Sequence, residues 1–353
     1  AKGALNFVLN NLNEGDLFNI IAYDSAVESF RPELQRFSEE TRVEAQGFVS
    51  GIYSGGSTNI DGALKAALGQ LKDDQMPSYV VFLTDGLPTA GERKESQIVA
   101  NAKSSNGVRA RVFSFGVGHD VNSRLLDKLS RSCFGQSQYV RPNEDIEEHV
   151  SRLYQRIGAP AMVNLQLKFD LEGLSATVGS PVSRVYPKDA FDLFAGDQLV
   201  VVGRYKKPGN AKVTVTGTVD GNTQSFDFPA KLVEESLDDS QAFVEKLWAI
   251  RRVGEIIDDI DLNGNNQELI NELVALATKH GILTPYTSFL ADEMTNVRDL
   301  ASNNRRAGIQ LEALRETSGA SAFGQRLAKS NLKRASRAPT NSADSLHFLG
   351  DAD

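Results

Sequence analysis

Cysteine, histidine and tryptophan are scarce in this chain of 353 residues, which carries one Cys, four His and one Trp. The lone Cys133 excludes an internal disulfide framework, and no zinc site can be assembled around it with so few histidines. Basic charge is also short. The net charge of −8 argues against a general nucleic-acid binder, which needs a basic face. No apolar run approaches the ~20 residues of a membrane-spanning helix. A G-x-G-x-x-G turn, a Walker phosphate loop and a G-x-S-x-G nucleophile elbow are all missing, which removes the commonest signatures of nucleotide binding and acyl transfer. There is no N-x-Ser/Thr sequon and no initiator Met.

What is present is ordinary for a globular protein: 41% apolar and 24% charged residues, enough for a sizeable core. The length predicts more than one domain. Leu5, Val8, Leu9 and Leu12 already have helical spacing at the start of the chain. A chain that opens inside an amphipathic helix is expected to have lost what preceded it, and a missing signal peptide then carries no information.

Strands and helices alternate from there. Asp16–Tyr23 reads as a strand and Val27–Phe30 as a short edge strand. Ser38 is a good N-cap for a helix running to about Ile52. The Gly55-Gly56 loop, a helix over 61–71 and the strand 79–84 follow. Helices over 94–104, 122–130 and 143–157 then alternate with strands 110–117 and 137–140. Such alternation predicts an α/β fold with a doubly wound parallel sheet over 1–158. Past Pro160 the period shortens to two. Val163–Phe169, Leu199–Gly203, Val213–Gly217 and Ser225–Phe228 predict a small antiparallel β domain over 159–235. Phe243, Leu247, Ile250, Val253, Ile257 and Ile260 form one helical stripe, and a second helix ends at His280-Gly281, together a helical segment over 236–293. The Ser-, Asn-, Ala- and Arg-rich remainder, 294–353, reads as a mobile tail with helical pieces around 307–317.

Two short loops carry the chemistry. Tyr79-Val-Val-Phe-Leu-Thr84 is a buried strand that delivers Asp85-Gly86 to the crevice at the carboxyl end of the sheet. Ser54-Gly55-Gly56-Ser57-Thr58-Asn59 sets a hydroxyl on a glycine-rich loop before a helix. Thr58, Asp85 and water make a hard oxygen environment suited to Mg²⁺ or Mn²⁺. Each residue also has a plainer reading, Thr58 as a helix N-cap and Asp85 as a turn residue. Asp24-Ser25 reads as turn chemistry. Asp259-Ile-Asp261-Leu-Asn263-Gly264 imitates an EF-hand start, but Ile270 stands where the bidentate Glu belongs, so it reads as a helix–helix turn. Trp248, Arg251 and Arg252 read as packing and pairing residues, Tyr286–Phe289 as a structural plug, and Cys133 as a buried small residue.

The order of strand 16–23, Gly-Gly-Ser-Thr58-Asn59 loop, strand 79–84 and Thr84-Asp85-Gly86 resembles a von Willebrand factor A domain. Further segments resemble the inter-alpha-trypsin inhibitor heavy chains and their bacterial relatives: Arg152–Ile157, Ala195–Val200, Leu247–Gly254 and His280-Gly-Ile-Leu-Thr-Pro-Tyr-Thr-Ser-Phe-Leu290. The resemblance runs from residue 1 to about 293. It implies a metal-ion-dependent adhesion site in which Thr58 is the loop ligand and Asp85 the acidic ligand, often through water. Gly55, Gly56, Ser57, Asn59 and Gly86 would support the loops. A partner's carboxylate would complete the coordination of Mg²⁺ or Mn²⁺.

The family's Asp-x-Ser-x-Ser motif would lie before Ala1, so the chain reads as N-terminally truncated, with weak or absent metal binding on its own. The expected function is a non-enzymatic adhesion or protein-interaction module, exported, binding an acidic protein partner through Mg²⁺ in the intact protein. A metal-dependent hydrolase in the same crevice, with His119 as the lone candidate base, is one alternative. A structural envelope protein with a vestigial metal site is another. The C-terminal Asp-Pro-His segment through which the animal heavy chains join a glycosaminoglycan has no counterpart here, where the end reads Leu346-His347-Phe348.

Overall fold

Burial of long apolar strands against helices dictates the architecture. The computed structural model describes residues 2–53, 55–73, 76–158, 160–173, 179–188, 192–219, 221–236 and 241–338. The chain divides into two compact units, residues 1–159 with 317–320, and 160–316 with 321–353.

The first unit begins with α1 (Lys2–Asn11), β1 (Leu17–Phe18), β2 (Ile21–Tyr23), β3 (Val27–Ser29), β4 (Gln35–Arg36), α2 (Glu39–Gly51) and α3 (Ile60–Gly69). It continues with β5 (Tyr79–Thr84), α4 (Glu95–Ser105), β6 (Arg111–Val117), α5 (Ser123–Ser132), β7 (Ser137–Val140) and α6 (Ile146–Ile157). Strands β5, β6 and β7 form a parallel sheet in sequence order, with Thr84 level with Gly116 and Gly116 level with Tyr139. Parallel neighbours need crossover helices, which α4 and α5 supply. Strand β6 is buried from Arg111 to Gly116, as a strand covered on both faces must be. Local signals set the helix starts. Ser38 and Thr41 form a capping box on α2, and Asn59 caps α3 through the Gly62 N–H. Glu95 ties α4 to α5 by accepting from Arg124, Asn122 and Lys128 at 2.9–3.2 Å. Burial would raise its carboxyl pKa, but those donors outweigh burial and lower it.

The expected continuous strand 16–23 is two strands. Between β1 and β2, the Asn19 carbonyl accepts from the Ile20 and Arg31 N–H groups, while its amide donates to Arg31 O and Gln70 Oε1. That side chain takes over backbone partners and bends the run. β1 pairs antiparallel with β4, and β2 with β3.

The second unit comprises β8 (Pro160–Leu171), β9 (Val182–Tyr186), β10 (Leu193–Phe194), β11 (Val202–Tyr205), β12 (Gly209–Val219) and β13 (Asn222–Leu232). Its helices are α7 (Ala242–Asn263), α8 (Gln267–His280), α9 (Leu300–Leu311) and α10 (Gly319–Arg334), whose first residues belong to the first unit. The larger sheet has the order β10-β8-β12-β13 and is antiparallel throughout. The β and helical parts expected as separate domains share one core, in which Tyr186 and Val202 join Leu247, Ile250, Val253, Leu273 and Leu332. Arg251 stitches them together by donating to the carbonyls of Tyr186, Val200 and Ala335 at 2.6–3.0 Å.

The mobile tail expected over 294–353 is also corrected across its described part. Residues 300–311 form α9 and 319–334 form α10, joined through a 3-10 turn at Glu312–Arg315, with Leu311, Phe323 and Leu332 buried; residues 339–353 lie outside the described residues. Buried charge docks α10 alongside its apolar residues. Arg326 donates to Asp261 Oδ1 at 2.9 Å and Lys329 to Asp261 Oδ2 at 2.8 Å, all three side chains being buried. Lys329 and Lys333 also hold Asp258. Burial alone would raise the Asp258 carboxyl pKa, yet the two ammonium groups hold it well below the usual carboxylate range. The EF-hand imitation is thus part of a buried ionic latch.

Candidate functional site

Asp85 leaves the carboxyl end of β5 exposed, just past the buried Thr84. Beside it lies Thr58. A Cβ built on Gly86 would stand 3.3 Å from Thr58 Oγ1, so the hydroxyl packs against the Asp85-Gly86 turn, and any larger residue at 86 would crowd it. The two loops singled out in the sequence meet in space.

Thr58 is fixed from both sides of its own backbone. Its N–H donates to Thr89 Oγ1 at 2.7 Å, and its carbonyl accepts from the Thr89 and Ala90 N–H groups at 3.0 and 3.2 Å. Among the described residues no hydrogen bond engages its hydroxyl or the Asp85 carboxylate. The neighbouring loop residues are held by the β2–β3 turn. Asp24 O accepts from Asn59 N at 2.8 Å, and Ser25 Oγ accepts from Ser57 N at 3.3 Å. Gly56 has φ +76°, and a Cβ there would sit 2.7 Å from Ser25 Oγ, so conformation and space both demand glycine. A Cβ at Gly55 would meet nothing within 4 Å, so its support of the loop is not packing; Ser54 lies outside the described residues.

Tyr23 joins this corner from β2. Its Oη donates to Leu83 O at 2.9 Å, and its ring stacks on Phe82 at 5.8 Å and 20°. Burial pushes the phenol pKa far up and the Asp85 charge adds to this, against a hydrogen bond with Thr84 that lowers it. The residue stays neutral at physiological pH.

Tyr23, Ser25 and Thr89 had no signal in the sequence beyond the turn character of Asp24-Ser25. That turn is present, with Ala26 N donating to Asp24 Oδ1 at 2.8 Å, and it also braces the glycine-rich loop. His119 follows β6, and its carbonyl accepts from Gly319 N at 2.6 Å.

The corner offers one neutral hydroxyl and one carboxylate, both hard oxygen donors. Among the described residues no group of three or more His, Cys, Asp or Glu forms a metal cage. A cage is not what Mg²⁺ requires, because it keeps several waters and takes one or two carboxylates. The donor chemistry is compatible with Mg²⁺ or Mn²⁺, which Thr58 and Asp85 would hold together with water.

Residues 1–139 match the family model of the von Willebrand factor type A domain. Over 310 residues the chain is 26% identical to inter-alpha-trypsin inhibitor heavy chain H4 of Homo sapiens, covering 82% of this chain and 32% of that protein. Heavy chain H2 of Mesocricetus auratus matches with the same identity and the same shares. The chain thus spans about a third of the length of the curated relatives it matches. Among solved structures, a von Willebrand factor type A protein from Catenulispora acidiphila superposes with a TM-score of 0.54 and 16% identity, covering 90% of this chain and 84% of that one. At that identity the likeness speaks for the fold.

Proposed function

We propose that this chain, whose residues 1–139 match the von Willebrand factor type A domain model and which is similar over most of its length to the inter-alpha-trypsin inhibitor heavy chains, forms a non-enzymatic interaction module that in the intact protein grips an acidic group of a protein partner through Mg²⁺ or Mn²⁺. One observation carries the reading: the Thr58 hydroxyl, pinned through its backbone, lies against the turn that presents the exposed Asp85. A bound ion there would supply electrophilic attraction for a carboxylate. Thr58 and Asp85 bring only one negative charge between them, so the ion's charge is not cancelled by the protein. Work outside the cytoplasm is part of the proposal and follows the similarity to the heavy chains. Among the described residues no helix is long and apolar enough to cross a membrane.

The test is capture of the protein on an immobilised glutamate-bearing peptide in Mg²⁺ on the order of 5 mM, enough to fill a weak site. Retention is expected to be reversed by EDTA and lost in Asp85→Ala. Retention that survives both treatments would remove metal-bridged recognition, and a structural scaffold would be the better account.

A further inference from the structure

Resting on the metal reading above, we infer that Tyr23 and Ser25, on the β2–β3 hairpin, are positioning residues that set the separation of Thr58 and Asp85. The two donors come from segments far apart in sequence, and β5 pairs only with β6 among the described strands. Thr89 and Ala90, in the segment after β5, bond the Thr58 backbone directly, and the β2–β3 hairpin adds a second tie between the glycine-rich loop and β5 itself. The hairpin touches both. On one side Ser25 Oγ accepts from Ser57 N at 3.3 Å and Asp24 O from Asn59 N at 2.8 Å, so both neighbours of Thr58 are tied to the same turn. On the other side Tyr23 Oη donates to Leu83 O at 2.9 Å, two residues before Asp85, and its ring is braced on Phe82. Gly56 closes the contact, since Ser25 Oγ and Asp24 Oδ2 lie 2.7 and 3.3 Å from where its Cβ would be.

The hairpin is rigid where it matters. Its turn is closed by Asp24 N to Ala26 O at 3.0 Å and by Ala26 N to Asp24 Oδ1 at 2.8 Å. Neither Tyr23 nor Ser25 is needed as a ligand. They act as outer partners do in metal sites, where orientation of the ligands governs affinity and loss of such a partner costs about 10-fold or more.

The experiment is Mn²⁺ titration by calorimetry, with the metal-free melting midpoint recorded beside it, on the protein and on Tyr23→Phe, Ser25→Ala, Ser25→Thr and Asp85→Ala. Tyr23→Phe keeps the stacked ring and removes only the hydroxyl. Ser25→Ala removes the acceptor of Ser57 N, and Ser25→Thr restores it. The expected result is Mn²⁺ affinity lowered about 10-fold in Tyr23→Phe and in Ser25→Ala, near wild type in Ser25→Thr, with metal-free melting little changed. Wild-type affinity in both Tyr23→Phe and Ser25→Ala, while Asp85→Ala loses the ion, would overturn the positioning role and leave the metal site standing. Binding indifferent to Asp85→Ala would remove the metal site itself, and the positioning role with it. Should Tyr23→Phe melt early, the contrast between Ser25→Ala and Ser25→Thr decides, because equal affinity in that pair contradicts the inference.

Discussion

Asp261→Ala is expected to destabilise the second unit by about 3–5 kcal/mol, the cost of breaking a buried ion pair from one side. The substitution leaves the Arg326 guanidinium fully buried without its carboxylate. Carbonyls of Leu314, Glu316 and Ala322 still accept from it, but they cannot neutralise it. Lys329 still faces Asp258. Desolvating two charges is costly, and their attraction offsets the cost only while the partners stay together. Replacing the whole set by apolar residues of similar volume is therefore expected to restore most of the loss. Urea unfolding followed by fluorescence of Trp248, the sole tryptophan, reports on this unit. A loss below about 1 kcal/mol, the scale of an exposed pair, would mean that water reaches the latch in solution.

Gly135→Ala is expected to cost the first unit about 3 kcal/mol, the upper end of overpacking effects. The loop between α5 and β7 runs hard against the sheet there. A Cβ at 135 would overlap the backbone carbonyl of Val112 on β6, and backbone in a paired strand cannot step aside as a flexible side chain can. The crossing is stitched on both sides, with Val112 N donating to Cys133 O at 2.9 Å and Ser114 N to Gln136 O at 3.0 Å. Amide hydrogen exchange is the suitable measurement. Protection should fall across β6 and β7 in the variant, and unchanged protection there would show that the loop yields without disturbing the sheet.

Much of this fold is legible in local sequence. β5 stands out because Tyr79-Val-Val-Phe-Leu is a continuous apolar run, whereas β6 is buried from Arg111 to Gly116 although Arg111 and Ser114 interrupt its apolar residues. Asn266 and Gly281 mark the ends of α8 by cap chemistry, Gly281 taking the left-handed conformation at φ 62°. The failures share one cause: side chains acting over long sequence separations. Nothing local tells that Asn19 will satisfy the backbone of Arg31 and divide a strand. Arg326 and Lys329 look like residues of a solvated tail until Asp261, 65 residues before Arg326, is seen to neutralise them. The candidate site divides in the same way. Thr58 and Asp85 are singled out by the resemblance to von Willebrand factor A domains, since residue type alone also allows a helix N-cap and a turn residue. Tyr23, Ser25 and Thr89 are not singled out, because their contribution runs through backbone groups of distant segments, which any residue type could provide.

In the proposed site Thr58 and Asp85 jointly hold a divalent ion. The most direct measurement is electron paramagnetic resonance of Mn²⁺ titrated into the intact protein, beside its Thr58→Ala and Asp85→Ala variants. Free Mn²⁺ gives a sharp signal that binding broadens, so bound ion is read without any partner. One saturable site per chain, displaced by excess Mg²⁺ and weakened or lost in each variant, is the predicted result. Mn²⁺ uptake that neither substitution alters, or no uptake by the protein at all, would contradict it.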